Sequence, residues 1–317
     1  MASRNQAEFR EPPPSYQALD HDSRYNADSN PPPYHNWEEA VPDTTTFPPP
    51  PITGYFCSGT GNASSDDAEL AHEFCDGTPL YTPVKPSNAV YGCVQRQDVR
   101  PVQPQEFSGN IHLLSRGHWK VATKDGNRDC SIWTNLPLFF SKADSPWLTN
   151  KSKTIYFEVK LVGLRRGPAG SADSSGFSIG FLAQPYPGWR SPGWERGSLA
   201  VFSDDGCRFV NDSWGGRDFT AGFAVGETVG LGMAFQLPEK SEVSAPGGKK
   251  SLKIEVFFTR AGRKVGSWDL HEEQDEDAGG VEGLEGDFDL YGAIGLFGGV
   301  DVEVNFSRSH WLWKPVA

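Results

Sequence analysis

The sequence predicts an all-β protein, a sandwich of two antiparallel sheets, preceded by a disordered proline-rich N-terminal tail. Two observations carry this. From about Phe107 onward, short apolar or alternating runs are separated by glycine-containing turns, with almost no helical periodicity. Ahead of that, residues 1–54 hold eleven prolines, no glycine before Gly54 and few branched aliphatic residues. Such a segment buries too little apolar surface to offset its ordering entropy. The low apolar fraction of the 317-residue chain, 37%, follows from that tail.

The tail carries the same short signal twice. Pro13-Pro14-Ser15-Tyr16 and Pro31-Pro32-Pro33-Tyr34 both read as PPxY. Proline fixes φ near −65°, so such a run is pre-set as a polyproline II ridge and loses little entropy on docking. WW domains present an aromatic groove to a ridge of this kind, and the tyrosine adds a second contact. Pro13, Pro14, Tyr16, Pro31, Pro32 and Tyr34 are therefore candidate WW-domain ligands; an inert linker is the alternative. A third proline run, Pro48 to Pro51, is followed by Ile52 where a tyrosine is needed, and reads as a stiff spacer.

Residues 55–106 read as a strap with a short helix, lying on the main domain; a disordered linker is the other reading. Asp66 to Phe74 has acids in its first turn and Ser65 as N-cap, and Leu70 and Phe74, four apart, are expected to pack together on the body. Thr78 to Pro104 reads as extended, with scattered prolines.

Residues 107–317 carry the strands. Thr154 to Val162 alternates, with Tyr156, Glu158 and Lys160 opposed to Ile155, Phe157, Val159 and Leu161. Gly176 to Leu182, Ser198 to Phe202 and Cys207 to Val210 follow, the last pair joined by the turn Asp204-Asp205-Gly206. Glu227 to Phe235, Leu252 to Thr259, Lys264 to Trp268, Tyr291 to Phe297 and Val300 to Phe306 complete the series. Many antiparallel strands at this spacing indicate two packed sheets. Pro238 to Gly248 is a polar loop, and Asp269 to Asp289 holds ten acidic residues without Lys or Arg. A solvated loop is the preferred reading of the latter, with a calcium site or a basic partner as the alternatives.

Composition narrows the function classes. A net charge of −12 without any basic run argues against nucleic acid and anionic membrane as partners. Residues 1–20 have no apolar signal core, and no apolar run approaches the ~18 residues of a membrane span. The chain is thus expected to be cytoplasmic or nuclear, with no transmembrane segment. Its five cysteines, Cys57, Cys75, Cys93, Cys130 and Cys207, form no CxxC pair and read as free thiols, not as a zinc site. No GxSxG, HExxH or GxxxxGK[ST] occurs, and Gly230-Leu231-Gly232 lacks the rest of a dinucleotide fingerprint. No catalytic residue, cofactor or metal is expected.

Ordered landmarks between Ile111 and Pro315 identify the module. They are Ile155-Tyr156-Phe157-Glu158-Val159, Ser178-Ile179-Gly180-Phe181-Leu182 and Tyr186-Pro187-Gly188-Trp189-Arg190-Ser191-Pro192-Gly193-Trp194. Gly226 to Gly232, Val256 to Gly262, Leu290 to Leu296 and Val304-Asn305-Phe306 complete them. Together they resemble a SPRY domain. Gly230 and Gly232 alternate with Val229 and Leu231, leaving one strand face bare for close packing, and Phe257 and Phe258 make a strand that must sit between layers.

The Tyr186–Trp194 stretch is similar to that of the yeast endosomal and vacuolar SPRY adaptors. The resemblance implies PPxY recruitment of a HECT-type ubiquitin ligase through its WW domains, with the SPRY domain selecting protein cargo. The chain departs from those adaptors in lacking their transmembrane anchor and in placing its PPxY motifs before the SPRY domain. Recruitment to endosomal membranes would then run through partners. SPRY domains bind through loops at one end of the sandwich. Here Tyr186, Trp189, Arg190, Trp194, Trp214 and Arg217 are the candidates, because Tyr, Trp and Arg in glycine-rich loops combine rigid contact area with a polar handle. The competing reading has Trp189 and Trp194 packed inward to hold the loop. The expected function is a non-catalytic adaptor for ubiquitination or sorting. The alternatives are a SPRY scaffold subunit with no ubiquitin role, or a WW-binding protein of splicing or signalling.

Overall fold

The computed structural model of the chain describes residues 64–165, 175–238, 251–272 and 279–315. Both PPxY motifs, most of the Pro238–Gly248 loop and the centre of the acidic loop lie outside them.

The described residues form a two-sheet antiparallel sandwich, as the strand pattern predicts. Its strands are β1 (Pro101–Val102), β2 (Gly109–Ser115), β3 (His118–Thr123), β4 (Cys130–Thr134), β5 (Lys153–Arg165), β6 (Gly176–Ala183) and β7 (Ser198–Phe202). Then come β8 (Arg208–Val210), β9 (Thr228–Gln236), β10 (Lys253–Arg260), β11 (Arg263–Asp269), β12 (Leu290–Phe297) and β13 (Gly299–Asn305). One sheet runs β1-β4-β12-β6-β7-β8 and the other β11-β10-β9-β5-β13-β3-β2. The inner faces meet in an aromatic core. Phe157 of β5 meets Phe181 of β6 edge-on at 5.6 Å, and Phe139 stacks on Phe235 at 4.3 Å.

On the face of β5 opposed to Ile155, Phe157, Val159 and Leu161, Tyr156 and Glu158 are buried, while Thr154, Lys160 and Val162 are exposed. The C-terminal segment lies across the outer face of the sheet and inserts Trp311 and Trp313 beside Tyr156 and Phe257. The bare strand face accommodates them. A Cβ added at Gly230 would stand 2.0 Å from the Tyr156 hydroxyl, and one at Gly232 2.2 Å from the Phe257 ring.

All eight residues of β6 are buried, so the outer face of the six-stranded sheet is covered too. Its cover is the 184–197 loop. A Cβ at Gly180 would lie 3.1 Å from Pro192, so the missing side chain lets that loop settle on the strand.

Two helices precede the sandwich, α1 (Ser65–Gly77) and α2 (Asn88–Gln95); two short turns, α3 (Ser141–Asp144) and α4 (Pro146–Thr149), lie within it. The N-cap of α1 is Ser64, not Ser65. Ser64 Oγ accepts from the Asp67 amide at 3.2 Å while the Asp67 carboxylate accepts from the Ser64 amide at 3.3 Å. This capping box needs the Ser-x-x-Asp spacing that only Ser64 supplies. The expected Leu70–Phe74 contact is also corrected. Leu70 is exposed, because the buried stripe runs through Ala71 and Phe74, and Leu70 sits 100° away from Ala71. The extended reading of 78–104 missed α2, whose N-cap Ser87 accepts from the Val90 amide. Arg196 ties the end of α1 down by donating to the carbonyls of Cys75 and Thr78.

On the opposite side, Arg260 grips Glu227 with two hydrogen bonds, 2.6 and 2.7 Å, and donates to the Ala221 and Gly222 carbonyls. The Arg260 contact outweighs burial and holds the Glu227 carboxyl below its ordinary value of 4.5. A depressed carboxyl stabilises the folded state above its unfolded pKa, and that stabilisation is lost as pH falls through the folded value. Glu227→Gln is therefore expected to lower stability by about 1 kcal/mol at neutral pH. The deficit should vanish in acid below that range. Urea unfolding of both proteins across that window checks it; a pH-independent deficit would contradict the assignment.

Candidate functional site

The 184–197 loop joins β6 to β7 and is held by its own buried polar groups. Tyr186 donates its hydroxyl proton to the Ser191 carbonyl at 2.5 Å and accepts from the Glu195 amide at 3.3 Å. Burial pushes its pKa up, so the phenol stays a neutral donor. Arg190 and Glu195, both almost fully buried, pair at 2.7 Å. The Arg190 guanidinium lies 4.4 Å over the Trp194 ring. Trp194 stacks on Phe202 at 5.6 Å, and Phe202 meets Phe209 of β8 at 4.5 Å, which makes a continuous aromatic wall.

Beyond β8, Asp212 organises the next turn. Its carboxylate accepts from the Trp214 amide at 2.8 Å and the Gly216 amide at 3.0 Å, and Trp214 projects outward with 70% of its surface exposed. An indole held exposed on a pinned turn leaves a large apolar surface in solvent.

Helix α1 supplies the facing wall. Ser65, Ala68, Glu69 and His72 are spaced three and four apart, so they share one face. That face, the Trp194–Phe202–Phe209 wall, Asp204, Asp205 and Trp214 enclose a groove of about 480 Å³. His72 Nε2 lies 3.5 Å from Glu195 Oε2, tying the groove-facing side of α1 to the loop below.

The sequence-nominated residues fall in different places. Trp194, Arg190 and Trp214 line the groove, the first two from beneath and the third from the rim. Tyr186 is buried as support. Trp189 turns toward α1, where its Nε1–H donates to the Asp67 carbonyl at 3.1 Å and Phe74 meets its ring edge-on at 5.8 Å. Arg217 lies 3.7 Å from Glu272, outside the groove lining. Pro13, Pro14, Tyr16, Pro31, Pro32 and Tyr34 lie outside the described residues. Sequence reasoning missed the α1 face, Phe202 and Phe209. Phe202 and Phe209 each end or centre a short strand flanking Asp204-Asp205-Gly206, and that aromatic pair across a tight turn was the available signal.

Chemically the groove can hold a side chain against aromatic surface but offers no activated nucleophile. Burial pushes the nearby Cys75 thiol up to about 11 and the Cys207 thiol up to about 12, so neither supplies thiolate at neutral pH. Among the described residues no group of three or more His, Cys, Asp or Glu side chains is placed to hold a metal ion.

No family model matches the chain. A SPRY domain-containing protein of Schizosaccharomyces pombe is 31% identical over 139 residues, which cover 44% of this chain and 28% of that protein. The Ssh4 protein of Sclerotinia sclerotiorum is 25% identical over 185 residues, 58% of this chain and 26% of its own length. This chain is similar in sequence to fungal SPRY domain-containing and Ssh4 proteins. The matched stretch spans about a quarter of those relatives' length. Among solved structures, a human SPRY domain aligns with 62% of this chain and 96% of its own, at 21% identity and a TM-score of 0.39. Among the described residues, no helix is long and apolar enough to cross a membrane.

Proposed function

We propose that the chain is a non-catalytic adaptor. Its SPRY domain holds a protein or peptide cargo in the groove between α1 and the Trp214 turn. Its Tyr16 and Tyr34 PPxY motifs recruit a WW-domain protein, a HECT-type ubiquitin ligase, so that the cargo is ubiquitinated or sorted. The observation that carries the cargo half is the groove itself: an aromatic wall and a pinned exposed indole. The ligase half rests on the two motifs and on the resemblance to SPRY adaptors.

The mechanism is proximity, which raises the effective concentration of cargo at the ligase. Fourteen residues separate Tyr16 from Pro31. As a flexible coil they span roughly 20 Å, a distance suited to tandem WW domains of one partner. The site of action would be the cytoplasm, with partners drawing the complex to endosomal membranes.

The test is a titration of a labelled peptide spanning residues 8–40 against the WW array of a HECT ligase, beside the Tyr16→Ala/Tyr34→Ala peptide. Binding by the native peptide and its loss in the double variant are expected, by at least about tenfold through loss of both pocket contacts and of avidity. Equal binding by the two peptides would reduce the tail to a spacer and favour a SPRY scaffold subunit.

A further inference from the structure

The groove's electrostatics identify the chemistry of its occupant. Its lining carries three carboxylates, Glu69, Asp204 and Asp205, each on an exposed residue. The lining's basic side chains are Arg190 and His72, and both face the same buried Glu195, at 2.7 and 3.5 Å. Arg190 is further committed to the Trp194 face. A buried guanidinium already paired with a carboxylate and stacked on an indole has little field left for an anion.

The N-terminus of α1 also borders the groove through Ser64 and Ser65, and a bare helix N-terminus would favour anions. Here it is quenched. The capping box occupies the Ser64 and Asp67 amides, and Asp66 and Asp67 place two carboxylates in the first turn. Arg128, reaching that turn from the segment before β4, pairs with Asp67 at 2.7 Å. The groove is thus an aromatic trough with a net negative rim, within a chain of net charge −12.

We infer that the groove takes a basic linear peptide, an apolar or aromatic anchor residue flanked by arginine or lysine, an inference resting on the proposed cargo role of the same site. The anchor packs on the Trp194–Phe202–Phe209 wall. A flanking guanidinium stacks on the exposed Trp214 ring, and the other flank meets Glu69, Asp204 and Asp205. Arginine suits both contacts, because its planar fork stacks on aromatic faces and binds carboxylates in pairs.

The experiment uses the full chain against an array of heptapeptides. The central position runs through Leu, Ile, Phe, Tyr and Trp, and the two flanks on each side are all Arg, all Ser or all Glu. The Arg-flanked series is expected to bind at least about tenfold better than the Ser-flanked one at low salt, the gap closing as salt screens the rim. Glu69→Gln/Asp204→Asn/Asp205→Asn keeps the shape and hydrogen-bonding capacity of the rim, and should bring the series within about twofold of each other. Trp214→Ala, a change at an exposed side chain with unfolding expected to be unaltered, should abolish Arg-flanked binding.

Binding of Ser- or Glu-flanked peptides that matches or exceeds the Arg series, yet is lost in Trp214→Ala, overturns the basic-ligand inference and leaves the cargo groove standing. Arg-flanked binding that survives Trp214→Ala is general attraction to an acidic protein and also overturns it. No binding by any series removes both.

Discussion

Replacing Glu195 by alanine should cost about 3–5 kcal/mol of folding stability, the range for removing one partner of a buried ion pair. Arg190 would be left with its charge in a nearly dry loop, 3% exposed, and with Trp194 as its remaining neighbour of note. The cost lies in desolvation, not in the lost attraction. The charge-free double variant Arg190→Met/Glu195→Leu should recover much of the loss, because neither side chain then needs a partner. Functionally the two variants should agree: without the Arg190–Glu195 pair, Trp194 loses its backing and His72 its link to the loop, and the groove wall loosens. Urea unfolding and peptide binding measured on the same samples separate these effects. A Glu195→Ala protein as stable as the parent would show that Arg190 finds solvent, and would remove the buried pair from the account.

The second large effect is expected at the other sheet. Trp311→Ala should destabilise the fold by about 3–5 kcal/mol, the cost of deleting a buried indole from a packed cluster. Trp311 meets Tyr156 edge-on at 4.8 Å and donates to the Asn305 carbonyl at 2.9 Å. The same segment places the Leu312 and Trp313 amides on the two Glu158 oxygens, each at 2.8 Å, and Tyr156 donates to Glu158 as well. Loss of the indole frees the segment, so a buried carboxylate loses donors together with its cover. Leu312→Ala is the internal control. Leu312 is 55% exposed, so its truncation should move stability by no more than about 0.5 kcal/mol. Matching effects at the two positions would mean that the segment does not clasp the sheet.

The groove itself was only partly legible in the sequence. Trp194 and Trp214 are nominated because tryptophan in a glycine-rich loop combines rigid contact area with a polar handle; both line the groove, Trp194 as a buried side chain and Trp214 as an exposed one. Arg190 and Tyr186 were nominated on the same grounds, yet they serve as internal supports. A loop sequence does not reveal which polar side chains satisfy one another, since Arg190 and Glu195 are as compatible with a solvent rim as with a buried pair. The sequence reading likewise only opposed Glu158 to the apolar row of its strand. Alternation reports only one covered face, and the second cover came from Trp311 and Trp313, about 150 residues later in the chain.

The amino-acid sequence by itself determined strands β5 to β13, their turns and the antiparallel sandwich, but did not locate β1 to β4. Those features follow from side-chain periodicity and turn chemistry within a few residues of chain. It also carries the two PPxY motifs ending at Tyr16 and Tyr34. Only the tertiary structure decided that the Ser65–Glu69–His72 face of a short helix stands opposite Trp194 and Trp214, more than a hundred residues away. Local periodicity records which face of an element is covered, and carries no record of which distant surface covers it.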